Sequence, residues 1–270
     1  MVLALLSSSL LGCASEPVDD CTTGDGQVWV MRQIAFARFE DDVAPGFDLD
    51  DSTGKVCGHD DWDSPWGTDG IDNNLARLIP ALESTEAVAV EAILLQTINN
   101  GELLIVMEAG AVDSYEDDAC IELDVMRGMG PVEVGSDDLL LPGQTVALDP
   151  DAEVTWLQTP RIEAGVFHAA GFSMSLPFQV LNEAIRFDIR QGQLRMEVDP
   201  ETRVARGFAG GGVNVAEILA LVADLGVDAE VKDLLNSILP AMADLDADGD
   251  GECEEISMAL EFEAVPAWLY

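Results

Sequence analysis

The sequence predicts a single β-rich α+β domain: an antiparallel sheet of sandwich or barrel-like form with several helices, two of them just before an acidic loop near the C-terminus. Three observations predict it. Most segments beyond residue 26 alternate apolar and polar side chains with period two, the spacing of a half-buried strand. A few stretches switch to helical spacing, with an apolar stripe on one face. No Pro/Ser-rich linker interrupts residues 27–270, and 48% apolar content over 270 residues supplies one sizeable core.

The elements follow in order. Residues 27–39 alternate Val28, Val30, Ile34 and Phe36 against Trp29 and Met31, a strand. Residues 41–74 are rich in Asp, Gly, Pro and Ser, the composition of a long irregular segment. Phe47, Trp62 and Trp66 give that segment apolar anchors, which argues against disorder. Residues 75–82 and 84–98 read as helices, the second capped by Ser84. Asn99-Asn100-Gly101 turns the chain into a strand at 103–112, and 120–126 is the next strand. Residues 137–160 carry turn formers every few positions and suit short strands and loops. Strands follow at 161–180 and 184–198, with Gln191-Gly192 a hairpin-turn candidate, and at 202–213, where Gly210-Gly211-Gly212 looks like a tight turn. Helices span 215–225 and 229–243, the second expected to kink at Pro240. After Glu255 the period returns to two, with Ile256, Met258, Leu260 and Phe262 on one face.

Charge narrows the function classes. Twelve Lys and Arg stand against 52 Asp and Glu, a net charge of −40. Such a chain has no basic surface to neutralise phosphates, so nucleic acid is excluded as a partner, and anionic lipid headgroups would repel it. Divalent cations, basic proteins and neutral ligands remain.

Residues 1–12 are apolar or small and uncharged, and end in Leu10-Leu11-Gly12-Cys13. This resembles the lipobox of bacterial lipoprotein precursors. The resemblance implies a signal peptide at 1–12, acylation of Cys13, and a small, polar tether over 13–26. A lipid anchor is then the only membrane link, since no stretch is long and apolar enough to span. Ala14 and Ser15, in place of an aspartate after the cysteine, imply the outer membrane. Cys21, Cys57, Cys120 and Cys253 remain, an even number in an exported chain, which reads as two disulfides of open connectivity. Cys57 is the favoured partner of Cys253, because each lies in an acidic loop.

The sharpest motif is Asp244-Leu-Asp-Ala-Asp-Gly-Asp-Gly-Glu-Cys-Glu-Glu255, a full match to D-x-[DN]-x-[DN]-G-x5-E. Ca²⁺ takes six to eight oxygens, and carboxylates on alternate residues can wrap one ion. Asp244, Asp246 and Asp248 would each give one oxygen, Asp250 its backbone carbonyl, and Glu255 both oxygens. The loop resembles those of EF-hand and dockerin proteins. It differs in leaving through a strand, and in having Gly251 where EF-hands place a branched residue for pairing, which implies an isolated site. The competing reading is a solvated acidic turn. A second candidate site comprises Asp48, Asp50, Asp69 and Asp72, and Asp69-Gly-Ile-Asp-Asn resembles part of a thrombospondin type 3 repeat. Gly46-Phe-Asp-Leu-Asp, Cys57-Gly, Ser64-Pro and Gly70-Ile-Asp-Asn-Asn74 together resemble a group of acidic lipoproteins from myxobacteria, which implies location and no activity.

Catalysis has little support. His59 and His168 are the only histidines, no nucleophile elbow, zincin or phosphate-loop motif occurs, and no catalytic residue is assigned. The expectation is an exported cell-envelope lipoprotein that binds calcium, with a structural or binding role at the cell surface. The alternative is a calcium-dependent carbohydrate-binding or carbohydrate-active protein using Trp62 and Trp66 as sugar platforms, against core packing for the same rings.

Overall fold

A computed structural model of the chain describes residues 24–80, 89–180, 183–224 and 229–270. The Cys13 and Cys21 assignments lie outside the described residues, as does the expected N-cap Ser84.

Ten strands and three helices are described, and the strands form one mostly antiparallel sheet, as the alternation predicts. The strands are β1 (Asp25–Phe36), β2 (Leu104–Val112), β3 (Glu122–Met129), β4 (Gln144–Leu148), β5 (Thr155–Trp156), β6 (Gln158–Glu163), β7 (Val166–Val180), β8 (Glu183–Val198), β9 (Ala205–Asn214) and β10 (Glu255–Leu269). Their order is β1-β2-β3-β4-β10-β9-β8-β7-β6, with β5 on β3. β10 also pairs with β1, so β1-β2-β3-β4-β10 is a closed circuit, the barrel-like option of the sequence reading. Closure leaves the strands of that circuit without a free edge, while β6 ends the open arm β9-β8-β7-β6. β10 is the hub, antiparallel to β1 and β9 and parallel to β4. Its Met258, Phe262, Ala264 and Val265 are almost fully buried. The main core gathers Trp29, Met107, Leu123, Phe167 and Met196 from five strands, with Trp29 edge-on to Phe167.

The helices are α1 (Ala89–Asn99), α2 (Val215–Asp224) and α3 (Ala229–Ile238). After α3 a 3-10 turn, Leu239–Ala241, begins where Pro240 cannot donate to the helix ladder. The expected helix at 75–82 is entered by a 3-10 turn, Asn74–Arg77.

Two expected turns are different in kind. The chain runs straight through Gln191-Gly192 inside β8: Gln191 has φ 51° and the β8–β9 register shifts there, which is a bulge. The hairpin turn lies instead at Ala164-Gly165, both at positive φ between the paired Glu163 and Val166, and it splits the expected 161–180 strand into β6 and β7. Gly210-Gly211-Gly212 is likewise strand, paired with β8 and β10. A Cβ on Gly212 would meet Glu255 Oε2 at 2.3 Å, so these glycines permit close approach and make no turn.

Candidate metal centres

Two acidic regions converge at one end of β9 and β10. The first is the loop between the 3-10 turn and β10. Its neck is closed by a Leu245–Glu255 bridge, with Leu245 N–H donating to Glu255 O at 3.1 Å. Beyond the neck, carboxylate oxygens of Asp246, Asp248 and Asp250 all lie within 4.8 Å of one another. The loop's own amides hold them: Gly249 and Gly251 N–H each donate to Asp246 at 2.8 Å, Asp250 N–H donates to Asp248 at 3.1 Å, and Glu252 N–H donates to Asp250 at 2.8 Å. Gly249 and Gly251 take φ 76° and 93°, which a side chain would resist.

Asp244 and Glu255 do not join this ring. They lie below the neck and face the protein. Asp244 is 5% exposed and accepts from Ser257 N–H at 2.7 Å and from the Ser257 hydroxyl. Burial raises its pKa to about 6, against the lowering effect of those bonds. Glu255 is 2% exposed; its Oε1 accepts from Arg190 at 3.1 Å and its Oε2 has no partner. Burial raises its pKa, with Arg190 opposing. The alternating aspartates admit a second frame, two residues on, in which Asp246, Asp248, Asp250 and Gly251 take the first, third, fifth and sixth places. The structure assembles that frame.

The second region is the 41–74 segment. Short bridges fold it, Phe47 to Asp72 and Trp62 to Ile71, over a small core of Ala44, Trp62 and Ile71. Its face toward β10 is bonded to the first loop. Asn74 N–H donates to Ser257 Oγ and the Asn74 amide to Met242 O, both at 2.7 Å. The His59 ring lies 3.0 Å from Ala241 O, and a Cys57–Cys253 disulfide joins the segments, the favoured pairing. Cys120 is disulfide-bonded as well.

Asp48, Asp50 and Asp72 meet here, with oxygens within 4.8 Å of one another. Asp69 is exposed and outside the cluster. Asp61, which no spacing in the sequence marks, stands beside it and is electrostatically coupled to Asp48 and Asp50. Asp72 Oδ2 accepts from Leu49 N–H at 2.7 Å, and Asp50 Oδ1 from Ser52 N–H at 2.9 Å. The opposite oxygen of Asp50, and one each of Asp48 and Asp61, is buried with no hydrogen-bond partner. Burial, then repulsion from Asp50, Asp244 and Asp61, pushes Asp72 up to about 8 despite the Leu49 bond. Asp61 rises to about 6, first by burial and then by Asp50 and Asp48. The adjacent cation, Arg77, is turned to Asn74, the Asp60 carbonyl and the Trp62 ring. Arg77 offsets only part of the charge on Asp61; buried anionic oxygens without donors are costly, and hard cations take oxygen donors of this kind. The residues present fit a divalent ion.

The two tryptophans are not open platforms. Trp62 is 8% exposed, stacked on Phe39 at 4.7 Å and capped by Arg77 at 4.0 Å. Trp66 is half-buried against Phe208 and Arg195. His168 sits in β7, its pKa lowered by burial and by Arg161, away from both clusters. No family model, curated protein or solved structure matches the chain.

Proposed function

We propose that this protein is an exported, lipid-anchored cell-envelope protein that binds Ca²⁺ in its two acidic loops, and that the ions hold the joined loops against the end of β9 and β10 for a structural or binding role at the cell surface. One observation carries the reading: Asp48, Asp50 and Asp72 converge within 4.8 Å while buried oxygens of Asp48 and Asp50 have no partner. The Asp246, Asp248 and Asp250 loop is the second and more solvated site. Paired cysteines support export, since disulfides persist in oxidising compartments. The Leu10-Leu11-Gly12-Cys13 motif supports anchoring through Cys13 at the outer membrane.

The test is a Ca²⁺ titration of the mature chain by calorimetry, with Mg²⁺ as competitor. Two sites of unequal affinity are expected, the tighter lost in Asp50→Asn. Absence of binding in the wild type would remove the calcium reading. The mass of the protein from its native membrane, with or without acyl chains on Cys13, decides the anchor separately.

A further inference from the structure

A cleft of about 800 Å³ opens on the other side of the acidic loop, between the β2–β3 and β7–β8 strands. Its volume is that of a small-molecule site, roughly 300–1,000 Å³. The floor is apolar, built from Leu104, Ile105, Val125, Met126, Met174 and Ile189. The rim is charged and unbalanced. Both arginines that reach it are committed: Arg127 faces Asp149 at 3.6 Å, and Arg190 pairs with Glu217 at 2.6 Å and Glu255 at 3.1 Å. Among the described residues no ion pair involves Asp151, Glu153 or Asp188, which share the rim. Among the described residues the Asp188 carboxylate accepts only from the Ser175 hydroxyl. Arg127 Nε is buried without a partner. An anion placed there would lie among Asp149, Asp151 and Glu153, in a chain of net charge −40. Repulsion excludes it.

We infer that this cleft is a binding site for a small organic cation with an apolar body, an alkylammonium-type ligand whose hydrocarbon lies on the floor and whose charge faces Asp188, Asp151 and Glu153. Apolar burial supplies the affinity, and the uncompensated carboxylates supply the sign selection. The inference needs no metal, and Asp188 belongs to neither acidic cluster.

The experiment is calorimetry on the Ca²⁺-saturated full chain at physiological salt with three probes: hexyltrimethylammonium, hexanoate and tetramethylammonium. Hexyltrimethylammonium is expected to bind one to one. Hexanoate, with the wrong charge, and tetramethylammonium, with no body, are expected to bind at least about tenfold more weakly, the scale of two or three lost carboxylate contacts or a few buried methylenes. Asp188→Asn should weaken hexyltrimethylammonium by about fivefold, and Met174→Lys, which sets a fixed ammonium over the floor, should abolish its binding. Unchanged thermal melting confirms that each variant folds, and the three-probe comparison stands on the wild type alone. Equal binding of hexanoate or tetramethylammonium would overturn the inference. So would several equivalents insensitive to Asp188→Asn, or no binding of hexyltrimethylammonium.

Discussion

In the loop before β10, Asp246, Asp248 and Asp250 face solvent or half-face it, and backbone N–H groups of the same loop already satisfy their oxygens. In the 41–74 segment, Asp48, Asp50 and Asp72 also converge within 4.8 Å, but there one oxygen each of Asp48 and Asp50 is buried with no donor. Both are three aspartates whose oxygens lie within 4.8 Å of one another. The difference is what surrounds the charge. An exposed carboxylate hydrogen-bonded by its own loop needs no ion to be tolerated, since water and amides solvate it. A buried one without a donor must be protonated or must face a cation. The stronger demand for metal therefore lies in the segment with the weaker motif.

The largest expected effect breaks the comparison at the buried group. Asp48→Asn with Asp50→Asn removes two of its three converging carboxylates and should lower Ca²⁺ affinity there by a hundredfold or more, on the order of 3 kcal/mol. It should also raise the stability of the ion-free protein, because buried repulsion is relieved. Calorimetry and chelator-dependent melting read the two arms. A double variant with unchanged affinity would move the site elsewhere.

Next is the covalent tie. Cys57 and Cys253 lie 196 residues apart in sequence, and a bridge closing so long a loop contributes about 2–4 kcal/mol. Cys57→Ser with Cys253→Ser should lower the melting temperature by roughly 5–15 °C and weaken both metal sites together. Weakening of one site alone would show that the two loops are held independently.

These expectations also mark what was legible from residues alone. Strand alternation is a local property, so β1, β2, β3, β8 and β10 were readable from it. The Cys57–Cys253 pairing is favoured by the sequence, with connectivity open, because each acidic loop holds one cysteine, and the structure has that bridge. Turns were harder. Gln191-Gly192 and Ala164-Gly165 offer similar turn chemistry, and only pairing with β6 and β9 makes one a bulge and the other a hairpin. The ring of the C-terminal loop depended on where the neck closes, and the Leu245–Glu255 bridge put Asp244 and Glu255 on its protein side. Asp61 is brought beside the buried group by the Trp62–Ile71 bridge, a pairing that leaves no trace in spacing. Asp69 has the spacing and stays in solvent.

Calcium removal and pH sharpen the contrast further. Ca²⁺ at a hundred times its Kd contributes about 2.7 kcal/mol, so excess chelator should lower the melting temperature by roughly 5–10 °C. Without the ion, the fold holds the Asp72 proton up to about pH 8, against an ordinary value of 3.8. The folded state then binds more protons than the unfolded chain between those values, so ion-free stability should fall as pH rises through that window. An ion bound there would need the carboxylate and would displace the proton. Titrations at pH 7 in buffers of different ionisation enthalpy should show close to one proton released per ion bound at the buried group, and almost none above about pH 9. Asp72→Asn should abolish the release.

The smallest effect belongs to the exposed loop. Asp248→Asn keeps an acceptor for the Asp250 N–H and removes one solvated charge from a group where Asp246 and Asp250 remain. Ca²⁺ affinity at that loop should fall about three- to tenfold, and ion-free stability should change by less than about 0.5 kcal/mol. Asp246→Ala should be worse than that. Its carboxylate accepts from Gly249, Asp250 and Gly251, so losing it frees three amides and the loop conformation with them. Comparing the two by ion-free melting separates the acceptor from the charge. Equal destabilisation would mean that charge repulsion, and not the amide bonds, sets the loop, and the contrast between the two acidic regions would then collapse.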